Sequence, residues 1–266
     1  MNFSELASVY HELSTVQASA GDLLIALLRI RGDEDILDVG CGTGKLTKKL
    51  RSITKGRVVG TDVSEAMVAE ARKNNCNSPV DFFPIDAGHL NRNLGFFDII
   101  FCNSTFQWFR NPKEVVRIFY SLLRYYGKVG IQAPATQMYC PNFIQATHTV
   151  ENDPHTMEQF SHFRSPWFFL ESATEYSRLF HDAGFSLLFS DIDATRSLVT
   201  PEEAFDIFSS GAIAGYLNQD FYAKPYSNDY AESFKEIVKQ SLIDQADETG
   251  KVDLCFNRIF LVGIRD

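Results

Sequence analysis

Apolar positions along the chain follow two rhythms. Leu23, Leu24, Leu27 and Leu28 recur at helical spacing and predict a helix over about 16–30, after an opening helix over about 4–13. Short apolar runs follow, separated by helical stretches. Ile36–Val39, Arg57–Asp62, Val80–Ile85, Phe97–Cys102 and Lys128–Gln132 read as strands. Leu46–Ile53, Glu65–Lys73 and a segment from Pro112 to Leu123 read as helices between them. The Ser64 hydroxyl suits a helix cap, accepting from an orphan amide. Pro112 costs little in a first turn, where its missing amide has no helical partner. This alternation predicts a parallel sheet covered by helices on both faces.

After Pro134 the rhythm changes. Ala135–Leu170 is rich in aromatics, His and Pro and predicts an irregular or helical insertion. Ala173–Ala183 resumes as a helix ended by Gly184, and Phe185–Asp191 reads as a strand reaching towards Leu198. Pro201–Phe208 and Asp229–Leu242 look helical, and Val252–Ile264 reads as a long final strand. The expected fold is a Rossmann-like α/β domain, mostly parallel, with an antiparallel edge. Its parts are 1–134 (N-terminal helices and the first half of the core), 171–197 (a core helix and strand) and 251–266 (the last strand). Insertions 135–170 and 198–250 are expected to fold together as a helical cap.

The strongest chemical signal is Asp38-Val39-Gly40-Cys41-Gly42-Thr43-Gly44, between a strand and a helix. Glycines let backbone turn sharply and approach a ligand without Cβ interference. The helix start beyond them presents free amides, and ligands of open α/β sheets sit at the carboxyl ends of the strands. The dinucleotide fingerprint needs its third glycine one place later, where Lys45 stands. A phosphate loop would need Ser or Thr after Lys45, where Leu46 stands. Asp38 fits a cationic amine in the ligand better than a pyrophosphate. Asp62 ends the second strand, where a carboxylate can accept from a ribose diol or serve as a turn residue. Asp86 and Ala87 follow the third strand and suit the edge of an adenine; Val63 and Met67 suit its face or the core.

These motifs, Leu37–Gly44, Val59–Met67 and Phe83–Ala87, resemble the class I methyltransferase family over about Ile36–Pro134. The resemblance implies a seven-stranded sheet with its last strand antiparallel. It implies S-adenosyl-L-methionine as methyl donor and S-adenosyl-L-homocysteine as product. Gly40, Cys41, Gly42 and Gly44 would then approach the methionine part, Asp62 the ribose, Asp86 the adenine, and Asn103 the methionine end. Phe97 to Trp108, with an Asn and a following Gln-Trp, and Ile131–Pro134 are similar to trans-aconitate and malonyl-carrier-protein methyltransferases. In relatives an N-terminal Tyr closes over the donor, which gives Tyr10 either that role or packing of its helix on the sheet.

Methyl transfer needs mainly that nucleophile and methyl be held at near-attack distance. A carboxylate acceptor needs no general base, and none is readable in the motifs, so a small carboxylic acid is the expected acceptor. A metabolite methylated at N or C, and a non-catalytic donor-binding or partner-binding module, are the alternatives. A carrier protein stays open as bearer of the acceptor, and the oligomeric state is not read. Phe106, Gln107, Trp108, Tyr139, His148, Arg164 and Arg196 are the acceptor-pocket candidates, with Tyr10, Gln107 and Arg164 as positioning candidates. Phe143, Phe160, Phe163, Trp167 and Phe168 offer apolar pocket walls or the insertion's own core.

Charge narrows the partners. Lys and Arg total 25 against 34 Asp and Glu, a formal net charge of -9, which should repel nucleic acid. The nucleobase motifs are also missing: Asn103-Ser104-Thr105-Phe106 replaces Asn/Asp-Pro-Pro-Tyr/Phe, and Cys140-Pro141 reverses Pro-Cys. Five scattered cysteines with no Cys-x-x-Cys read as free thiols. His148, His155 and His162 repeat every seven residues, but no further ligand completes a metal site. No membrane span and no secretory signal are read, so a cytoplasmic protein is expected.

Overall fold

The computed structural model describes residues 20–266. The expected helix over 4–13, the start of the next one and Tyr10 lie outside the described residues. The described residues divide into two compact units. The first contains the described residues up to Ala135, Phe168–Asp193 and Arg258–Asp266; the second contains Thr136–Trp167 and Ala194–Asn257.

The first unit is built on β1 (Ile36–Val39), β2 (Val58–Asp62), β3 (Val80–Pro84), β4 (Phe97–Asn103) and β5 (Leu123–Pro134), with residues 185–193 of β6 (Phe185–Val199) and 258–265 of β7 (Val252–Arg265). Their order is β3-β2-β1-β4-β5-β7-β6. β1 to β5 pair parallel, with Asp38 level with Gly60 on β2 and Phe101 on β4. β7 runs antiparallel to β5, from Lys128↔Ile264 to Pro134↔Arg258, so the antiparallel strand lies between β5 and β6. Order reverses between β1 and β4, and crevices for ligands open at such switch points.

All four residues of β1 are buried, because a parallel strand with helices on both faces meets no water. Ile36 packs with Leu23, Leu24, Leu27 and Leu28 of α1 (Ala20–Leu28), and with Leu50 of α2 (Lys45–Ile53). Leu37 and Val39 face the other layer, with Val116 and Phe119 of α4 (Pro112–Leu122) and Tyr176 and Phe180 of α7 (Ala173–His181). Ser64 caps α3 (Glu65–Asn74) by accepting from Met67 N, and Asn111 caps α4 by accepting from Glu114 N, with Pro112 in its first turn. β5 starts at Leu123, straight after α4 and earlier than the apolar pattern predicts. Its Arg124-Tyr125-Tyr126 is exposed, so the pattern there is polar, and pairing with β4 shifts register between Phe97 and Ile99.

The second unit holds α5 (Pro141–Asn152), α6 (Met157–Phe160), α8 (Pro201–Ser210), α9 (Ile213–Tyr216) and α10 (Asn228–Asp244). Thr200 and Glu203 form a reciprocal capping box at α8. Aromatics make the core of this unit. Phe143, Phe208 and Phe234 are buried; Phe143 meets Phe208 edge-on at 5.1 Å, and Trp167 meets Tyr216 at 4.8 Å. A side chain at Gly215 would overlap the Trp167 ring. The tyrosine hydroxyls are bonded internally: Tyr222 donates to Tyr216 O at 2.8 Å and Tyr226 to Leu217 O at 2.6 Å. Of the expected pocket walls, Phe143 is therefore core of the second unit, whereas Phe168 belongs to the first unit beside Phe106. Among the described residues, no helix is long and apolar enough to cross a membrane.

Candidate cofactor-binding site

β1, β2, β3 and β4 end on one edge of the sheet, and their last residues carry the polar groups that the sequence singled out. Gly40, Gly42 and Gly44 all have left-handed backbones (φ 73°, 53° and 78°). Two of them are packed shut: a Cβ on Gly40 would overlap Thr105, and one on Gly44 would stand 2.6 Å from Asn75 Nδ2. A Cβ on Gly42 would meet nothing within 4 Å. Gly42 thus combines a backbone that disfavours side chains with open space before it, as a close ligand approach requires. The loop is tied down from β2: Gly40 N and Cys41 N both donate to Thr61 O, at 2.7 and 2.9 Å. No side chain caps the start of α2, whose amides are left to polar groups outside the helix.

Asp62 is committed from two sides. Its Oδ2 accepts from Gly42 N and its Oδ1 from Ser64 N, each at 2.9 Å. The turn role is therefore real, and it holds the carboxylate beside the open glycine with lone pairs to spare. Val63 and Met67 follow, 71% and 45% exposed, an apolar surface next to that carboxylate. Asp86 accepts from Gly88 N at 2.7 Å, and Ala87 is buried.

Asp38 is buried, 2% exposed, and its Oδ2 accepts from the Thr47 hydroxyl at 2.6 Å. Burial pushes its carboxyl up to about 7; the Thr47 bond opposes this and the charge of Asp62 adds to it. Burial, with the charges of Asp38 and Asp62, also pushes the Cys41 thiol up, so it stays protonated. Asn103 ends β4. Its Oδ1 is buried with no hydrogen-bond partner, and its Nδ2 donates to Ser104 Oγ at 3.4 Å. Ser104 takes a left-handed backbone (φ 54°), a conformation costing about 1–3 kcal/mol in a non-glycine residue. It is held there by Gln132, whose carbonyl and Oε1 accept from Ser104 N and Oγ at 2.7 and 3.0 Å. Gln107 Nε2 donates to Ser104 O at 3.0 Å, which identifies Oε1 as the other amide atom; it is buried without a partner.

The acceptor candidates fall into two groups. Phe106, Gln107 and Trp108 form a short 3₁₀ turn in the first unit, with Phe106 inside the core. Tyr139, His148, Arg164 and Arg196 belong to the second. Within it, Tyr139 is buried 6.3 Å from the Trp167 ring, and His148 is exposed on α5 beside Asn152. Arg164 is exposed and donates back to Ser161 O and Phe163 O, and Arg196 pairs with Asp253. His155 and His162 line an open hollow of about 480 Å³ with Glu158, Lys224 and Asp229. Among the described residues no group of three or more His, Cys, Asp or Glu could hold a metal ion. Sequence reading missed Thr47, Ser104, Thr105 and Gln132. Thr47 stands three places before Leu50, a helical spacing that would put both on one face, and that was its legible sign; the others depend on register between strands.

This donor set fits a nucleoside bearing an amino-acid chain: an open glycine, a carboxylate beside it, an exposed apolar face, and a buried acid with no cation beside it among the described residues. Comparison with known proteins agrees. Residues 36–127 match the family model described as "Methyltransferase domain". Malonyl-[acyl-carrier protein] O-methyltransferase 1 of Ilyobacter polytropus is 33% identical over 141 residues, 52% of each chain. Trans-aconitate 2-methyltransferase of Deinococcus radiodurans is 28% identical over 127 residues, 47% of this chain and 48% of that one. The chain thus spans about half the length of the curated relatives it matches. A Bacillus halodurans structure solved as a candidate methyltransferase superposes with TM-score 0.61 at 17% identity, covering 93% of this chain and 99% of that one. Residues 36–127 therefore match a methyltransferase domain, and the chain shares the Rossmann-like fold of solved methyltransferase structures.

Proposed function

We propose that the chain transfers a methyl group from S-adenosylmethionine to a carboxylic acid, free or borne by a carrier, forming a methyl ester. The observation that carries the donor half is Gly42, open to a ligand and bonded to the Asp62 carboxylate. Bound there, the donor supplies a methyl group on a sulfonium. The chain's part is to hold and orient. Gly40, Cys41, Gly42 and Gly44 bring backbone close to the amino-acid part, and Asp62 accepts from the ribose diol. Val63 and Met67 cover the adenine, with Asp86 and the Ala87 amide at its edge. Asn103 faces the methionine end.

The acceptor half rests on the relatives, whose named acceptors, a malonyl group and trans-aconitate, are carboxylic acids. A carboxylate carries its nucleophilic oxygen at neutral pH, and orientation then supplies most of the rate. The net charge of -9 argues against nucleic acid as acceptor. A second reading, N-methylation, draws on one observation: Asn103 Oδ1 and Gln107 Oε1 are acceptors without donors, as an amine would require. Labelled donor incubated with fractionated metabolites and with malonyl-carrier protein decides. A product cleaved by mild alkali with release of methanol supports the ester; a base-stable product refutes it in favour of N- or C-methylation. No transfer under any condition, with donor binding intact, leaves a donor-binding module.

A further inference from the structure

We propose that Thr105 is a positioning residue: its side chain locks the glycine loop from the β4 side and couples that loop to the turn that carries Gln107 and Trp108. The inference deepens the S-adenosylmethionine reading above and rests on it.

Glycine loses more freedom on ordering than any other residue, so a loop with three left-handed glycines must be fixed by its neighbours. β2 supplies one side. Thr61 O accepts from Gly40 N and Cys41 N, at 2.7 and 2.9 Å. The other side is a side chain. β4 runs parallel beside β1, with Phe101 level with Asp38, so the residues that follow the two strands meet on the carboxyl edge. There Thr105 fills the place that a Cβ on Gly40 would take. Such an atom would overlap Oγ1, Cγ2 and Cβ of Thr105 together. The Thr105 hydroxyl has one proton to give. Its shorter contact is to Asn103 O, at 3.0 Å, against 3.4 Å to Gly40 O. The bond to Asn103 holds the rotamer, and the stiff, branched side chain locks Gly40 by its shape.

The backbone of the same residue starts the next element. Thr105 O accepts from Trp108 N at 2.9 Å, closing the 3₁₀ turn Phe106–Trp108. Gln107 Nε2 returns to Ser104 O at 3.0 Å, and Ser104 is itself pinned to Gln132 of β5. The turn is thus anchored to β5, and Thr105 is where it meets the glycine loop. A shift of Gly40 displaces Thr105 and with it the turn. A loop already locked binds the donor at a lower ordering cost, and by reciprocity a bound donor steadies the turn.

The test is calorimetry of the full chain with S-adenosylhomocysteine, together with fluorine NMR of protein labelled with 5-fluorotryptophan. The Trp108 line is assigned by its loss in Trp108→Phe. Thr105→Ala removes the lock and should weaken binding about three- to ten-fold. Thr105→Val keeps both branches and should stay within about two-fold of wild type. Thr105→Ser loses only the methyl and should fall between them; should Thr105→Ala not fold, full affinity in Thr105→Ser overturns the proposal. Saturation with S-adenosylhomocysteine should move the wild-type Trp108 line, and in Thr105→Ala that movement should shrink by about half or more. A residue that merely supports the fold would lower the denaturation midpoint and leave both readouts of the folded protein as they were. Unchanged affinity in Thr105→Ala, an equal loss in Thr105→Val, or a Trp108 line that stays still in wild type or moves as far in Thr105→Ala would overturn the proposal while leaving the donor reading standing. Failure of S-adenosylhomocysteine to bind the wild type would overturn both.

Discussion

Asp35 and Asp38 stand at opposite ends of the same strand and are treated in opposite ways. Asp35, just before β1, accepts from Arg124 Nη2 at 2.9 Å and from Arg57 N at 2.7 Å. Arg124 also donates to Asp98 at 2.7 Å, and Asp98 accepts from Asp35 N, so the amino ends of β1, β4 and β5 are stitched together. Lys128 adds to this end by donating to the Leu28 carbonyl that ends α1. Burial pushes the Asp35 carboxyl up, but its bonds to Arg124 and Arg57 outweigh that and hold it below the usual carboxylate value. Asp38 has no such partner among the described residues and is held well above it. A parallel sheet aligns all its amino ends on one edge and all its carboxyl ends on the other. One edge here is closed by compensated charges. The other keeps a buried acid, two unpartnered amide oxygens and a left-handed serine. Strain and unmet polar groups collect at functional sites as a rule, and this edge fits the proposed donor site.

The contrast breaks most severely at the glycine loop. Gly40→Ala places a Cβ into Thr105 on a left-handed backbone, and overpacking plus backbone strain should cost about 2–4 kcal/mol, read as a lowered denaturant midpoint. Gly42→Ala meets open space, so it should lose about 1–2 kcal/mol from backbone strain alone. Equal losses would show that the two glycines are not packed as described.

Next in size is donor affinity. Asp62→Ala removes a charged acceptor and should weaken S-adenosylmethionine binding by about 1.5–3 kcal/mol, roughly ten-fold or more, in calorimetry on folded protein. Unchanged affinity would remove Asp62 from the site.

The pH dependence sharpens the comparison directly. The Asp38 carboxyl is raised on folding, so its stabilising contribution is complete below pH 3.8 and is lost as pH rises through about 7. Unliganded protein should therefore lose about 1.4 kcal/mol relative to Asp38→Asn between pH 6 and pH 8. The Asp35 carboxyl is lowered, so its contribution is present above the usual carboxylate value and lost as pH falls below it. Denaturation curves at a series of pH values separate the two; a wild type and Asp38→Asn that run parallel would contradict the assignment.

The smallest effect belongs to the closed edge. Arg124 is 44% exposed, so solvent screens its pairs, and Arg124→Met should cost about 1 kcal/mol or less, shrinking further in high salt. Donor affinity should not change, because the sheet lies between this edge and the glycine loop.

The positions of the candidate residues in the first unit were legible because their spacing is local. The glycines lie within one loop, and Asp62, Asp86 and Asn103 each end a strand whose apolar run announces it. Asp86 and Asn103 were placed without knowledge of register, since in a parallel sheet strand ends fall on one edge regardless. Thr105 against Gly40 and Gln132 against Ser104 were not legible, because both contacts depend on how β4 lies beside β1 and β5. The aromatics of the second unit signalled burial but not against what. Phe143, Phe208 and Tyr216 bury one another, a choice that composition leaves open.

Hydrophobic periodicity and a seven-residue loop were enough to determine a parallel α/β core and an open, glycine-lined approach beside an acid. These follow from steric and hydrogen-bonding rules that act within a few residues. Tertiary structure decided which acid is compensated. Asp35 and Asp38 are the same residue type three positions apart, and each borders the same apolar run. Only the folded sheet brings Arg124, 89 positions from Asp35, to one of them and leaves the other with a hydroxyl. Charge compensation acts through space, and the distances that set it exist only once the strands are aligned.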